Sequence, residues 1–279
     1  MNPDRRTGRR DESPPVGPLL SITGLRVTFT QYTRGLRRRE IVALAGMDLT
    51  AERGQVVALV GASGAGKTLL AHAVLGMLPP NATETGTIAY DGTVLDTPAR
   101  RQLAGTDIAL LPQSIDYLDP LATIGRQVRR SARLAGRPSS DAAEALEARG
   151  LGREVLGRYP HELSGGMIRR VLVTMATMGD PELILADEPT PGLPAADVAA
   201  VLQDFRSFAD AGRAVVLITH ELRAALAVAD TVVICHDGRT VETADPRSFA
   251  EDRLTHPYAR LLWNALPANG LIVPEAQPC

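Results

Sequence analysis

Short runs of consecutive apolar, mostly β-branched residues punctuate the chain: RVTF from Arg26, QVVALVG from Gln55, TIAY from Thr87, DIALLPQ from Asp107, ELILADE from Glu182, AVVLITH from Ala214 and TVVICHDG from Thr231. Several are near-continuously apolar and bounded by Gly, Pro or Asp. That is the pattern of parallel strands buried on both faces, and it predicts an α/β fold. Between Arg100 and about Met178 the pattern changes to Ala, Leu and Arg at helical spacing, in LATIGRQVRRSARLAG, SSDAAEALEARG and GGMIRRVLVTMATM. This stretch predicts a helical lobe inserted into the sheet domain. After GRTVETADP one more helical segment, THPYARLLWNAL, precedes the Pro-rich PANGLIVPEAQPC, which reads as a loose end.

Composition narrows the classes. With 279 residues, 44% apolar and 22% charged, the chain can bury one substantial core plus a smaller lobe. A formal net charge of -2 argues against binding nucleic acid, which needs a basic footprint. Only two cysteines occur, Cys235 and Cys279, so neither a disulfide framework nor a CxxC metal pair can be drawn. The first 18 residues, MNPDRRTGRRDESPPVGP, lack an apolar core and read as a disordered lead, not a signal peptide. No window approaches the roughly 18 to 20 apolar residues that a membrane span needs, so any membrane role depends on a partner.

The strongest chemical signal is GASGAGKT, Gly61–Thr68, set between a predicted strand and a predicted helix. That context turns a GxxxxGK[ST] string into a phosphate loop. Gly61, Gly64 and Gly66 let the backbone N–H groups of Ala62, Ser63 and Ala65 and their neighbours curl around a β-phosphate. Lys67 reaches β and γ oxygens, Thr68 can hold Mg²⁺, and Leu69 follows in the opening turn of the helix. ELILADEP ends an apolar strand in adjacent carboxylates, whose side chains alternate: Asp187 toward a metal, Glu188 toward a γ-phosphate. Taken alone, such a pair is also a common strand end. His220 closes VVLITH, either as a satisfied strand-end imidazole or as a contact to the γ-phosphate or attacking water. Gln113 closes DIALLPQ just before the helical lobe. A second glycine pair, in HELSGGMIRR from His161, again looks built to approach an anion, about a hundred residues after the first.

GASGAGKT, Gln113, LSGGM, LILADE and His220 together, in this order, resemble the ATP-binding subunit of an ABC transporter. The resemblance runs from about Leu20 to Pro267. HPYARLLWNALP and the Met of YPHELSGGM resemble the oligopeptide, dipeptide and nickel importer branch. The resemblance implies a P-loop core with a parallel sheet, an antiparallel β subdomain and the inserted α-helical subdomain. It divides the chain into the lead 1–18, an ATP-binding domain 19–245 with its helical part at about 100–178, and a tail 246–279. It also implies ATP and Mg²⁺ as ligands. The metal falls to Thr68, Gln113 and Asp187, the base to Glu188, and a γ-phosphate contact to His220.

The second glycine pair then has a use. The resemblance implies that Leu163, Ser164, Gly165, Gly166 and Met167 open a helix toward the ATP of another subunit, Gly61–Thr68 surrounding this chain's own nucleotide. Two such subunits closing head to tail, two permeases and a solute-binding protein are the implied partners, at the cytoplasmic face of the cell membrane. The coupling groove is expected on the lobe near Gln113 and SIDYLDPLATIG, and Arg169 and Arg170 on a solvated helix face. Two positions depart from the pattern. No aromatic precedes ALAGMDL closely, leaving Tyr32 as the candidate for stacking on adenine, and Pro194 stands where an aspartate is expected. Pro194 suggests a heterodimer with a second ABC ATPase. It also keeps open a regulatory subunit with a degenerate site, beside a soluble ABC ATPase uncoupled from transport. The expected solute is a peptide or a nickel or metal chelate.

Overall fold

The computed structural model describes residues 17–33, 37–114 and 117–266. Its elements, in order, are β1 (Leu20–Thr33), β2 (Arg37–Ala51), β3 (Val56–Val60), α1 (Lys67–Val74), β4 (Ala82–Tyr90), β5 (Thr93–Val94), α2 (Thr97–Leu103) and β6 (Ile108–Leu111). Then come α3 (Ile124–Leu134), α4 (Asp141–Glu147), α5 (Gly165–Thr177), β7 (Leu183–Asp187), α6 (Ala195–Asp210) and β8 (Ala214–Thr219). The chain closes with α7 (Leu222–Val228), β9 (Thr231–His236), β10 (Arg239–Ala244), α8 (Arg247–Ala250) and α9 (Pro257–Asn264).

The strands form one mixed sheet in the order β5-β4-β1-β2-β10-β9-β3-β8-β7-β6. From β9 to β6 every pair is parallel, and from β5 to β2 every pair is antiparallel. The two halves meet where β10 runs antiparallel to β9 and touches β2 with Arg239 opposite Gly46. Every residue of β3, β7 and β8 is buried, as their uninterrupted apolar runs require. Alternation then sorts them by face. Leu59, Leu183, Leu185, Val216 and Ile218 pack with Leu70 and Val74 of α1, while Ile184, Ala186, Val215 and Leu217 pack with Val171 of α5 and Phe205 of α6. Complete burial of Phe205 contributes about 1.5–3 kcal/mol of transfer free energy.

The helical lobe consists of α3, α4, two short 3-10 turns and the start of α5. Its Ile124, Val128, Leu146 and Val155 share the core of that second face. β6 falls inside the expected lobe span of 100–178, but it pairs with β7 and belongs to the sheet. At the other end Phe249 of α8 and Ala259 of α9 pack on Val60, Val232 and Ile234, so the tail is docked against the sheet as far as Leu266. The expected lead up to residue 16 and the end from 267 lie outside the described residues. No helix of the described residues is long and apolar enough to cross a membrane.

Candidate active site

β3 stops at Val60 because the next residues must leave the sheet. Gly64 (φ 83°) and Gly66 (φ 94°) take left-handed backbone that a side chain would strain. Gly61 is small for a different reason: a Cβ there would collide with the carbonyl oxygen and Sγ of Cys235 on β9. Ala65 is buried in the core, so the loop is seated from beneath. Lys67, only 6% exposed, donates from Nζ to Gly61 O at 2.8 Å and Ala62 O at 3.1 Å, and lies 3.9 Å from Glu188 Oε1. The loop thus curls around its own ammonium.

The two carboxylates at the end of β7 serve different neighbours. Thr68 Oγ1 donates to Asp187 Oδ1 at 3.1 Å. Burial pushes the Asp187 carboxyl up from its ordinary range, against the lowering influence of the Thr68 hydrogen bond. A metal cation would reverse that penalty. Glu188 leaves the extended region at φ 44°, so strand alternation no longer sets its direction; a non-glycine residue there costs about 1–3 kcal/mol. Its backbone N–H donates to Ile218 O at 2.8 Å, and its Oε2 lies 2.9 Å from His220 Nδ1. This contact fixes the orientation of the imidazole against the carboxylate.

Ser63, Gly64, Gly66, Lys67, Thr68 and Leu69 line a cavity of about 760 Å³ together with Gln113 and Glu188. This volume lies in the usual range for small-molecule sites. Thr68, Asp187 and Gln113 offer only oxygen and amide donors, the set that a hard divalent cation such as Mg²⁺ prefers. The far side of the cavity is formed by Ile41, Val42 and Ala43 of β2 and by Asp237 and Gly238 of the β9–β10 turn, none of which the sequence reading selected. The D-G turn was the available signal for the latter two, which have φ 47° and 71°. Tyr32 sits in β1 opposite Arg38, its side chain outside the described residues. Among the described residues, Val42, 44% exposed, is apolar surface on that side of the cavity.

Leu163 to Met167 do not reach this cavity. Leu163 is buried in the lobe core and Met167 packs against it. Ser164 caps α5, accepting from Met167 N–H at 3.2 Å. Gly165 is exposed with room for a Cβ, which would meet Leu193 Cδ2 at 3.6 Å. Gly166 has no such room, because the Asp197 carboxylate lies against it. The helix N-terminus they form opens α5, which is 13 residues long.

Arg169 does not lie on a solvated face. It is 3% exposed and donates to Pro112 O at 2.7 Å and Gln113 O at 3.0 Å. Its buried Nε has no partner, and burial lowers its pKa. Arg170 is half-buried, with bonds of 3.4 Å to the carbonyls of Gly166, Arg149 and Gly150. A buried Arg at position 169 pays off in geometry: it ties α5 to the loop that carries Gln113.

Residues 44–191 match the sequence profile of the family described as ABC transporter. The chain is 34% identical over 273 residues to a probable peptide ABC transporter ATP-binding protein of Sinorhizobium fredii, covering 93% of this chain and 80% of that protein. It is 35% identical over 243 residues to the oligopeptide transport ATP-binding protein OppD of Lactococcus lactis, covering 81% of this chain and 70% of OppD. A glutathione import ATP-binding protein of Pectobacterium atrosepticum is 36% identical over 276 residues, covering 92% of this chain and 43% of that protein. Among solved structures, a dimeric post-hydrolysis state of the ATP-binding cassette MJ0796 bound to ADP and Pi has the same fold. Its TM-score is 0.69 at 24% identity, covering 82% of this chain and 99% of that one.

Proposed function

Because the chain belongs to the ABC transporter family of ATP-binding proteins, we propose that it is the ATP-hydrolysing subunit of a peptide importer. One observation carries the reading: a phosphate loop with its buried Lys67, Thr68, Gln113 and Glu188 line a single cavity, with Asp187 bonded to Thr68 and His220 to Glu188. The relatives are named for peptide or oligopeptide transport and for glutathione import, which favours peptides over metal chelates as the solute class. The completeness of the constellation weighs against a degenerate site.

In this reading loop amides and Lys67 bind the phosphates, and Ile41–Ala43 offer adenine an apolar surface. Glu188, aimed by its left-handed backbone and by His220, orients the attacking water and accepts its proton. Thr68, Asp187 and Gln113 would hold Mg²⁺, which when bound neutralises phosphate charge. Ser164–Gly166 present free helix N–H groups to the γ-phosphate held by a second ATPase subunit, so that two chains close head to tail around two nucleotides. Their absence from the lining of the chain's own cavity supports that use. Pro194, at the N-cap of α6 without a capping side chain, lacks the carboxylate and N–H that an aspartate would offer across the interface, which favours a different ATPase as partner.

Two permease subunits at the cytoplasmic face of the membrane complete the assembly, fed by a solute-binding protein. A groove of about 500 Å³ between Tyr117 and α3, beside Gln113 in sequence, supports their docking on the lobe. Leu121, 86% exposed, adds apolar surface next to it. The test separates binding from turnover. Lys67→Ala should lose ATP affinity, whereas Glu188→Gln should bind ATP and stall in a closed dimer. Turnover by Glu188→Gln equal to wild type in the assembled complex would remove the assignment.

A further inference from the structure

We propose that Tyr258, in the first turn of α9, is a positioning residue of the ATP site, its hydroxyl fixing the peptide group that anchors Lys67. The proposal rests on the reading of Gly61–Thr68 as an ATP site. Ala62 N–H donates to Tyr258 Oη at 3.2 Å, and Gly61 O accepts from Lys67 Nζ at 2.8 Å. Those two atoms belong to one planar peptide, so a rotation that breaks either bond disturbs both. Cys235 packs against Gly61 too closely for a Cβ, which closes the side toward β9. The peptide is therefore held at its carbonyl by the loop lysine, at its N–H by the tail, and from beneath by the sheet.

The tail is built to deliver that hydroxyl. Glu242 of β10 accepts from Thr255 N at 2.7 Å, Thr255 Oγ1 at 3.0 Å and His256 N at 3.0 Å. His256 caps α9, its Nδ1 accepting from Tyr258 N at 3.2 Å. Pro257 occupies the first helical position, where no N–H is needed. The Tyr258 ring then stacks on His236, centroids 3.9 Å apart and planes 21° from parallel. His236 directly follows Cys235, so the end of β9 supplies both the surface under Gly61 and the platform under Tyr258. Ala62 is exposed and does not line the cavity. Tyr258 thus engages the loop from outside and leaves the inward amides free for phosphate.

Losing the hydroxyl leaves the Gly61–Ala62 peptide free to turn, and Lys67 meets ATP from a wider set of positions. Pre-organisation of this kind is expressed in affinity. Because water can replace part of an exposed hydrogen bond, the expected loss in Tyr258→Phe is roughly threefold to fivefold in ATP Kd, within the scale of one such bond. The measurement is ATP binding to the full chain by titration calorimetry in magnesium-free buffer, with amide exchange followed in parallel. Tyr258→Phe keeps the ring on His236, so exchange should accelerate at Ala62 while α9 and β10 keep wild-type protection. An ATP Kd changed less than twofold overturns the proposal. So does acceleration spread over α9 and β10, which would make Tyr258 a packing residue. Lys67→Ala in the same series tests the underlying reading: if it binds ATP as wild type does, the fault lies with the ATP site and not with Tyr258.

Discussion

Replacing Arg169 by Met should be costly, and the structure gives the size. The guanidinium donates two bonds to the carbonyls of Pro112 and Gln113. Charge-assisted bonds contribute about 1.5–3 kcal/mol each, and carbonyls left unpaired keep their desolvation cost. Against this stand the desolvation that lowers the Arg169 pKa and the partnerless Nε, an offset of about 1–3 kcal/mol. Taken at the middle of both ranges, the net loss is about 2–3 kcal/mol, or roughly 4–12 °C in Tm for a chain of this size class. Arg170→Met is the control: its bonds are at 3.4 Å and its side chain is half-buried, so the loss should stay within about 1 kcal/mol. Thermal denaturation of both variants, with ATP turnover as a second readout of the Gln113 loop, is the assay. Equal shifts for the two substitutions would refute the view that Arg169 braces that loop.

Two further predictions follow from buried and hydrogen-bonded carboxylates. Asp187 has a raised folded pKa, caused first by burial, so its charged form opposes folding at neutral pH. Asp187→Asn should therefore raise the Tm of the nucleotide-free chain, while metal-dependent turnover falls about tenfold to hundredfold. A lower Tm would contradict the first half. Burial alone would raise the Glu242 carboxyl, but the bonds from Thr255 and His256 outweigh it and its pKa lies below the ordinary 4.5. Its contribution is present above pH 4.5 and is lost as pH falls through the lower folded value. The Tm difference between wild type and Glu242→Gln should accordingly be constant near neutrality and shrink in acid; a difference that grew below pH 4 would reverse the sign of the argument.

The parallel half of the fold was legible because burial on both faces writes itself as unbroken apolar runs, from VVALV at Val56 to VVIC at Val232. β2 and β10 were not read as strands. Arg38, Arg39 and Glu40 are exposed in β2, and RTVETA of β10 is mostly polar, so neither carries a core signal. α6 escaped because PTPGLP reads as turn chemistry up to its first residue. Of the site, Lys67, Thr68, Asp187 and Glu188 stood in local strings, and local strings survive folding. Ile41–Ala43 came from a distant strand that only sheet order brings beside the loop. Arg169 misled for a physical reason: an Arg in a helix reads as solvated until backbone carbonyls from another segment are seen to receive it. The left-handed turn at Glu188 is a backbone property that no side-chain pattern announces.

The central claim is that this chain completes its partner's ATP site and not its own, and one substitution tests it directly. Gly165 has open backbone surroundings, so Gly165→Asp adds charge at the start of α5 with little cost to folding. Measured side by side, the isolated variant should bind ATP within about twofold of wild type, while turnover of the assembled transporter falls at least about tenfold, as loss of a phosphate-binding helix terminus should produce. A collapse of ATP affinity in the isolated chain, or full turnover in the complex, would contradict the account.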